Sequence, residues 1–496
     1  MEFGDDGVVK FLKDKTIIVT GSTGFLAKVF VEKVLRVQPE VRKLYLLMRA
    51  SDAISAAERL QSEIVSKELF RVVEEKHGES YQAFMSAKLI PVAGDIGQKD
   101  LGISDPVLKR NMLRETNIVV NVAANTRFDE RYDVSLEINT LGAQNVLEFA
   151  RQCDKIELLL HVSTAYVAGS QEGVQMERKF KMGDTLSSNP DLRLDIDTEV
   201  RLAGEMLAKL RFQGSTKEEE ADAMMKFGMK RSKHFGWPNT YGFTKAMGEM
   251  LLGHTRGDLP LLIMRPTIIT SLYKDPVPGW MEGSRTIDSI IIGYAKRKLT
   301  CFLGDMDLIM DVIPGDMVVN AMIVAMVAHS NQPIEIIYHV SSSIRNPVKY
   351  NLLLDCGQNY FYEHPLIGKD GKNIELKKLP IYSSMASFQR YMVLRYKLPL
   401  EALGLLNTAL CGFLSDRYKQ LSRRYNFVMH LVALYEPYVF FRGWFDDLNM
   451  EKLRIKAMEK IEPDELRLFQ FDPKIIDWDY YFHEVHIPGI LKYVCK

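Results

Sequence analysis

Through residue 270, short apolar, β-branched runs alternate with longer stretches whose apolar residues recur at helical spacing. Thr16–Thr20 (TIIVT) is the first such run, and Phe25–Val37 follows it with apolar positions three and four apart, which predicts strand, turn and helix. Further strands are predicted at 43–48 (KLYLLM), 88–92 (KLIPV), 117–122 (NIVVNV), 158–162 (LLLHV) and 261–264, with a helix that starts near Ile138 and includes 141–149. Continuous apolar strands joined by crossover-length segments predict an α/β chain, a doubly wound parallel sheet of six or seven strands covered on both faces.

The pattern changes twice. Between Glu172 and Phe235 lies a charged insertion carrying 217–220 (KEEE) and Lys230-Arg231, read as solvated helix faces or, second, as a lid over a substrate. After Asn346-Pro347 the alternation fades into a smaller, mostly helical and aromatic-rich region. The boundary falls within 350–380 and is drawn as 1–365 for the sheet domain with its insertions and 366–496 for the helical domain, with 368–372 (GKDGK) as a turn. Two apolar stretches, 403–414 and 427–441, fall short of the roughly 20 residues a membrane-spanning helix needs. They read as core helices. Arg417, Lys419, Arg423 and Arg424 between them leave attachment to one membrane face as the other reading.

Composition narrows the chemistry. Sixty-four basic residues balance sixty-four acidic ones, so nothing draws the whole molecule to nucleic acid. The five cysteines (Cys153, Cys301, Cys356, Cys411, Cys495) are scattered and lack CxxC spacing, which disfavours a disulfide framework or structural zinc and points to a reducing compartment. A strand beginning at Thr16 leaves no room for a cleaved leader, so the expected starting place is the cytosol.

The first strand runs into Thr20-Gly21-Ser22-Thr23-Gly24-Phe25-Leu26-Ala27, where glycines let the backbone approach a dinucleotide pyrophosphate at a helix N-terminus, in the manner of an extended Rossmann domain. Ala27 replaces the third glycine, whose task is close helix–strand packing. The second strand ends in Arg49 where a carboxylate would select a ribose 2′-hydroxyl; arginine suits the 2′-phosphate of NADPH, and Ser22 adds a hydroxyl donor. Asp95 and Ile96 after the third strand and Ala123 after the fourth lie at strand carboxyl ends, with Asp95 read as holding the adenine amino group or as a simple turn aspartate.

Tyr241 and Lys245 are four residues apart, hence on one helix face, where an ammonium favours the phenolate of a neighbouring tyrosine and brings it into a useful range for proton transfer. Ser163 and Thr164 end the fifth strand on the same side of the sheet, offering a hydroxyl to a substrate oxygen. A serine nucleophile would need a Gly-x-Ser-x-Gly elbow, which the flanking residues lack. His161 reads as a strand-end core residue, and His483, Glu484 and His486 match no metal-ligand spacing, so no metal is assigned.

Ordered blocks over nearly the whole chain carry a family resemblance: TGSTGFLAK at 20–28, LLMRASD at 46–52, PVAGDI at 91–96, NVAANTRFDERYD at 121–133, HVSTAYV at 161–167, GWPNTYGFTKAMGE at 236–249, MRPTII at 264–269, PVPGWMEG at 276–283, DVIPGDMVVN at 311–320, YHVSSSIRNP at 338–347 and IDWDYYFHEVHIPGILKY at 476–493. The chain resembles the extended short-chain dehydrogenase/reductases and, within them, the alcohol-forming fatty acyl-CoA reductases of plants. The resemblance implies NADPH held by Gly21, Gly24, Ala27, Arg49 and Asp95, an active site of Thr164 (or Ser163), Tyr241 and Lys245, and two-step reduction of a long-chain acyl-CoA to a primary alcohol. It further implies an apolar tunnel shaped by 278–283 and the C-terminal domain, and peripheral attachment at the cytosolic face of the endoplasmic reticulum. The rivals are a one-step aldehyde-forming reductase and a nucleotide-sugar epimerase or dehydratase. The long insertion between the serine/threonine and tyrosine blocks disfavours a sugar substrate.

Overall fold

A computed structural model describes residues 7–284, 286–299, 301–368, 371–374 and 376–495. Seven strands form the central sheet: β1 (Thr16–Thr20), β2 (Lys43–Met48), β3 (Leu89–Ala93), β4 (Ile118–Asn121), β5 (Leu158–Val162), β6 (Leu261–Pro266) and β7 (Glu335–Val340). Their order is β7-β6-β5-β4-β1-β2-β3, with every pairing parallel. This is the doubly wound order extended by one strand, and the direction of winding reverses between β1 and β4. The six predicted strands agree with observed ones to within two residues at each end. β7 is the addition; its run EIIYHV mixes polar with apolar residues and carries no continuous apolar signal.

Successive strand residues face opposite ways, so Ile17 and Val19 enter one core while Ile18 enters the other. Helix α1 (Phe25–Val37) covers the first face, and α2 (Gly142–Ala150) covers the second. The helical segment 132–150 that ends in α2 is widened by one wide turn at Leu136–Leu141.

The charged insertion forms α3 (Ile196–Phe212), capped by Asp195, and α4 (Lys217–His234), started by a reciprocal cap between Thr216 and Glu219. Their charged faces are solvated. Their apolar residues Ile196, Ala203 and Met224 pack with Trp237, Phe243 and Met247 around α5 (Thr240–Thr255), so the insertion buttresses that helix from outside. At the join, buried Glu199 accepts from Tyr132 Oη at 2.7 Å and from Arg231 Nε at 3.0 Å. Helix α6 (Gly315–His329) is buried at every residue, packed against α1 and the sheet, and apolar apart from Asp316, Asn320 and His329.

Beyond β7 the chain folds back over the sheet domain. Ile381–Tyr382 pairs with Phe302–Leu303, and Gly443–Phe445 pairs with Gly173–Gln175. Arg345 grips Asp472 through two hydrogen bonds of 2.6 and 2.7 Å. Of the turn predicted at 368–372, Lys369 and Asp370 lie outside the described residues; Gly368 N–H donates to Lys372 O at 2.7 Å across it.

The two apolar stretches part company. Residues 427–441 belong largely to α8 (Ser415–Val439), which buries Val428, Leu431, Val432, Tyr435, Tyr438 and Val439. Residues 403–414 begin in α7 (Leu398–Ala409), in which no residue is buried. The core reading of 403–414 is therefore corrected: apolar composition measures the drive to leave water and says nothing of whether a neighbour is present to receive it. Among the described residues no helix is long and apolar enough to cross a membrane.

Removing one partner of a buried, hydrogen-bonded ion pair leaves the other uncompensated. Glu199→Ala is expected to cost about 3 kcal/mol, read as a lower denaturant midpoint at unchanged slope, with increased hydrogen exchange across α3 and α4.

Candidate active site

The turn from β1 into α1 is shaped by an approach that only glycine permits. Gly21 has φ +63°, and a Cβ there would lie 2.8 Å from the backbone of Ala123 at the end of β4. Thr20 Oγ1 donates to Asn121 Oδ1 at 2.6 Å and accepts from Ala123 N–H at 3.2 Å, fixing the two strand ends together. Gly24, at the cap of α1, brings no side chain to cover the first helical turn, the part of a helix that receives anionic groups.

A cavity of about 630 Å³ runs from this turn along the carboxyl edge of the sheet. Gly21, Thr23, Gly24, Phe25 and Leu26 form one end, Arg49 and Asp95 with Ile96 flank it, Ala123 forms its floor, and Ser163, Thr164 and Tyr241 stand at the other end. Asp95 accepts from Gly97 N–H at 2.9 Å, so it shapes its own turn while facing the cavity. Three predicted residues do not line the wall. Ser22 is buried and donates to Leu47 O at 2.5 Å, pointing away from the cavity. Ala27 packs in the core beneath α1. Lys245 lies behind the wall, fully buried.

Asn239 caps α5 by accepting from Gly242 N–H at 3.0 Å, and its amide also bonds the Tyr438 hydroxyl of α8. This cap sets where Tyr241 emerges, half-buried, into the cavity. Ser163 Oγ is buried without a hydrogen-bond partner among the described residues, an orphan that suits a bound ligand. Thr164 Oγ1 accepts from Tyr166 N–H at 3.3 Å, which leaves its own proton for a substrate oxygen.

One turn beyond Tyr241, Lys245 Nζ donates to Val162 O at 2.7 Å and meets His161 Nε2 at 3.2 Å. The His161 ring reaches the Asn121 amide at 3.0 Å, so a polar chain crosses from α5 through β5 and β4 to Thr20 at the glycine turn. Burial pulls the Lys245 pKa down to about 8, partly opposed by the Glu249 carboxylate. Burial, and then the Lys245 charge, hold His161 well below its ordinary value, so its ring is neutral.

Several wall residues carry no sequence signal that marks them as functional. Arg59 lies in the helix after β2, and its guanidinium bonds the Arg49 carbonyl. Phe128, in a family block with no role assigned to it, packs 5.9 Å from the Tyr241 ring and 5.2 Å from Tyr438. Leu434 and Tyr435 of α8 close the cavity from the far end of the chain. Residues 278–283, expected to shape a tunnel, are not in the wall: Trp280 instead stacks 5.4 Å from Phe25, behind the turn. No residue of the insertion 172–235 lines the cavity either, so its lid reading is set aside in favour of the buttress.

The model of the Male sterility protein family matches residues 19–322 as its NAD-binding part, and a second model of the same description matches 395–496. Fatty acyl-CoA reductase 1 of Arabidopsis thaliana is 51% identical over 494 residues, covering 99% of this chain and all of that protein. The alcohol-forming fatty acyl-CoA reductase of Simmondsia chinensis is 47% identical over 489 residues, 98% of each. Among solved structures, the terminal R domain of the myxalamid biosynthetic pathway matches with a TM-score of 0.57 at 18% identity, over 97% of this chain and 91% of that one, a likeness of fold.

The Lys245 environment yields a pH prediction. Its folded pKa, about 8, lies below its ordinary 10.5, so the buried cation one turn beyond Tyr241 is lost as pH rises through about 8. Over the same window the unfolded chain binds the extra proton, and folding gains stability with rising pH. Turnover is expected to fall above pH 8 with loss of one proton, and Lys245→Met to lose that limb together with most of the rate, in a pH series of kcat/KM.

Proposed function

This chain belongs to the fatty acyl-CoA reductases, and we propose that it reduces a long-chain or very-long-chain acyl-CoA to the primary alcohol, using two equivalents of NADPH and releasing CoA. The observation that carries this reading is the cavity itself. It joins a glycine-rich phosphate turn to a tyrosine and two hydroxyls, and ends against the apolar wall of Leu434 and Tyr435.

The residues present fit the dinucleotide. Gly21 leaves no room for a Cβ, Gly24 leaves the first turn of α1 uncovered, and Ser163 Oγ is a buried hydroxyl in want of a partner. Arg49 and Arg59 both line the wall beyond β2; Arg49 stands where a carboxylate would select a 2′-hydroxyl, and the Arg59 guanidinium is held beside it by Glu63 and the Arg49 carbonyl, which favours a 2′-phosphate. Bound there, the nicotinamide supplies hydride to the carbonyl carbon.

The chain's own groups manage the charge that hydride addition creates. Thr164 and Tyr241 donate to the thioester oxygen as it becomes an oxyanion; when that oxyanion collapses, the C–S bond breaks and CoA leaves as a thiolate that takes up a proton. The aldehyde keeps the same oxygen against the same donors. In the second reduction Tyr241 gives its phenolic proton to that oxygen, forming the alcohol, and is reprotonated from solvent. The Lys245 ammonium, on the same helix face and out of reach of water, stabilises the phenolate left behind. Phe128 packs beside Tyr241 and Tyr438 beside Phe128, which gives the bound aldehyde an aromatic flank.

Incubation with palmitoyl-, stearoyl- and longer acyl-CoAs and NADPH, followed by mass identification of lipid products, is expected to give primary alcohol, with Tyr241→Phe slower by roughly 10²–10⁴-fold. Free aldehyde as the end product would replace this proposal with a one-step reductase, and absence of turnover with bound NADPH would remove the acyl-CoA substrate. Arg49→Ala and Arg59→Ala are each expected to raise KM for NADPH by about 10–100-fold, the scale of a lost charged hydrogen bond. Turnover with NADH should be unchanged by either, which steady-state kinetics with both cofactors will decide.

A further inference from the structure

Tyr166 stands in the cavity wall with Ser163, Thr164 and Tyr241. Its backbone is pinned between the two segments that carry the other donors. On one side its N–H donates to Thr164 Oγ1 at 3.3 Å, in the turn that leaves β5. On the other, its carbonyl oxygen lies 3.0 Å from where a Cβ on Gly242 would stand, so Tyr166 rests against the residue that follows Tyr241. Its ring is met edge-on by Tyr438 at 5.0 Å, Phe445 at 5.4 Å and Phe441 at 6.4 Å, all brought back over the sheet by the C-terminal region. The phenol is thereby fixed in direction, yet its hydroxyl makes no hydrogen bond among the described residues. A polar group so enclosed and left without a protein partner suits a ligand. Burial first, then the neighbouring Tyr350, Asp311 and Tyr438, hold its pKa well above the ordinary value, so it stays protonated and can only donate.

We propose that the Tyr166 hydroxyl is a third donor to the substrate oxygen, joining Thr164 and Tyr241 as the carbonyl becomes an oxyanion. The inference rests on the acyl-CoA reductase reading and deepens it. A carbonyl oxygen offers two lone pairs, which Thr164 and Tyr241 occupy; hydride addition at carbon turns the π pair of the C=O bond into a third. A donor already aimed at that third pair binds the transition state more strongly than the ground state, which is the condition for raising the rate. Tyr166 gives up no proton in either step: the alcohol takes its proton from Tyr241, and CoA leaves as the thiolate. The same oxygen is present in both reductions, so the thioester and the aldehyde use the same donor. The C-terminal region thereby enters the chemistry, through the rings that hold Tyr166 in place.

Tyr166→Phe removes one oxygen and keeps the ring with its aromatic neighbours, so a purely structural role predicts an enzyme like the wild type. The test is steady-state kinetics of the full chain with palmitoyl-CoA and, separately, with hexadecanal, each with NADPH. In the variant kcat is expected to fall roughly 10²-fold on both substrates, with KM for each little changed. Melting temperature, NADPH affinity and the shape of the pH profile should match the wild type, because the lost hydroxyl neither packs a partner nor titrates in the working range. Unchanged kcat, a loss confined to KM or to one of the two substrates, or a loss that tracks weaker NADPH binding or a lower melting temperature would overturn the proposal and leave the acyl-CoA reading in place. A wild type that reduces neither substrate would overturn that reading, and the proposal with it.

Discussion

The contact between Gly21 and Ala123 is the constraint on which the rest of the site depends. β1 and β4 are neighbours at the point where the sheet reverses its winding, so their following segments leave towards opposite faces and open a cleft between them. The cleft is narrow enough that the β1 turn rests on the β4 backbone with no space for a side chain. From that fixed point Thr20, Asn121, His161 and Lys245 form an unbroken line of polar contacts across three strands to α5, the helix that carries Tyr241. The glycine turn and the Tyr241 end of the cavity are thus held in one frame, the kind of support that keeps groups at a site within a fraction of an ångström of a fixed geometry.

That frame carries a cost in stability. Lys245 is an ammonium with no solvent contact, held by a backbone carbonyl and a neutral imidazole, and beside it Arg265 and Glu249 form a buried ion pair. Burial on this scale disfavours charge. Packing offsets it: α3 and α4 enclose α5 from outside, α6 fills the opposite face, and the helix at 448–460 returns to pack against the edge strand β7. The insertion and the C-terminal region, which look like additions to a nucleotide-binding sheet, are what allow α5 to be buried along nearly its whole length.

The sheet was legible because its strands are buried on both faces and read as continuous apolar runs; β7 escaped because EIIYHV does not. The glycine turn was legible because its spacing reflects a steric demand local to the turn. The Tyr241–Lys245 pair was legible as two residues on one helix face, but not that Lys245 lies behind the cavity wall, since that depends on where His161 and Val162 end β5. Leu434 and Tyr435 left no signal at all, because their place in the cavity comes from tertiary folding of a distant apolar stretch. The same physics explains why 403–414 and 427–441, so alike as sequences, ended on opposite sides of the surface: α8 meets Leu303, Leu379 and Phe388, and α7 meets mainly the solvent.

The most direct measurement of the central claim, that one cavity delivers two hydrides to one carbon, is to supply NADPH stereospecifically deuterated at C4 of the nicotinamide and to count the label in the product. Two deuterons on C1 of the alcohol, both from cofactor and undiluted when unlabelled aldehyde is present, is the predicted result. Alcohol carrying a single deuteron, or label that ends in released aldehyde, would contradict it.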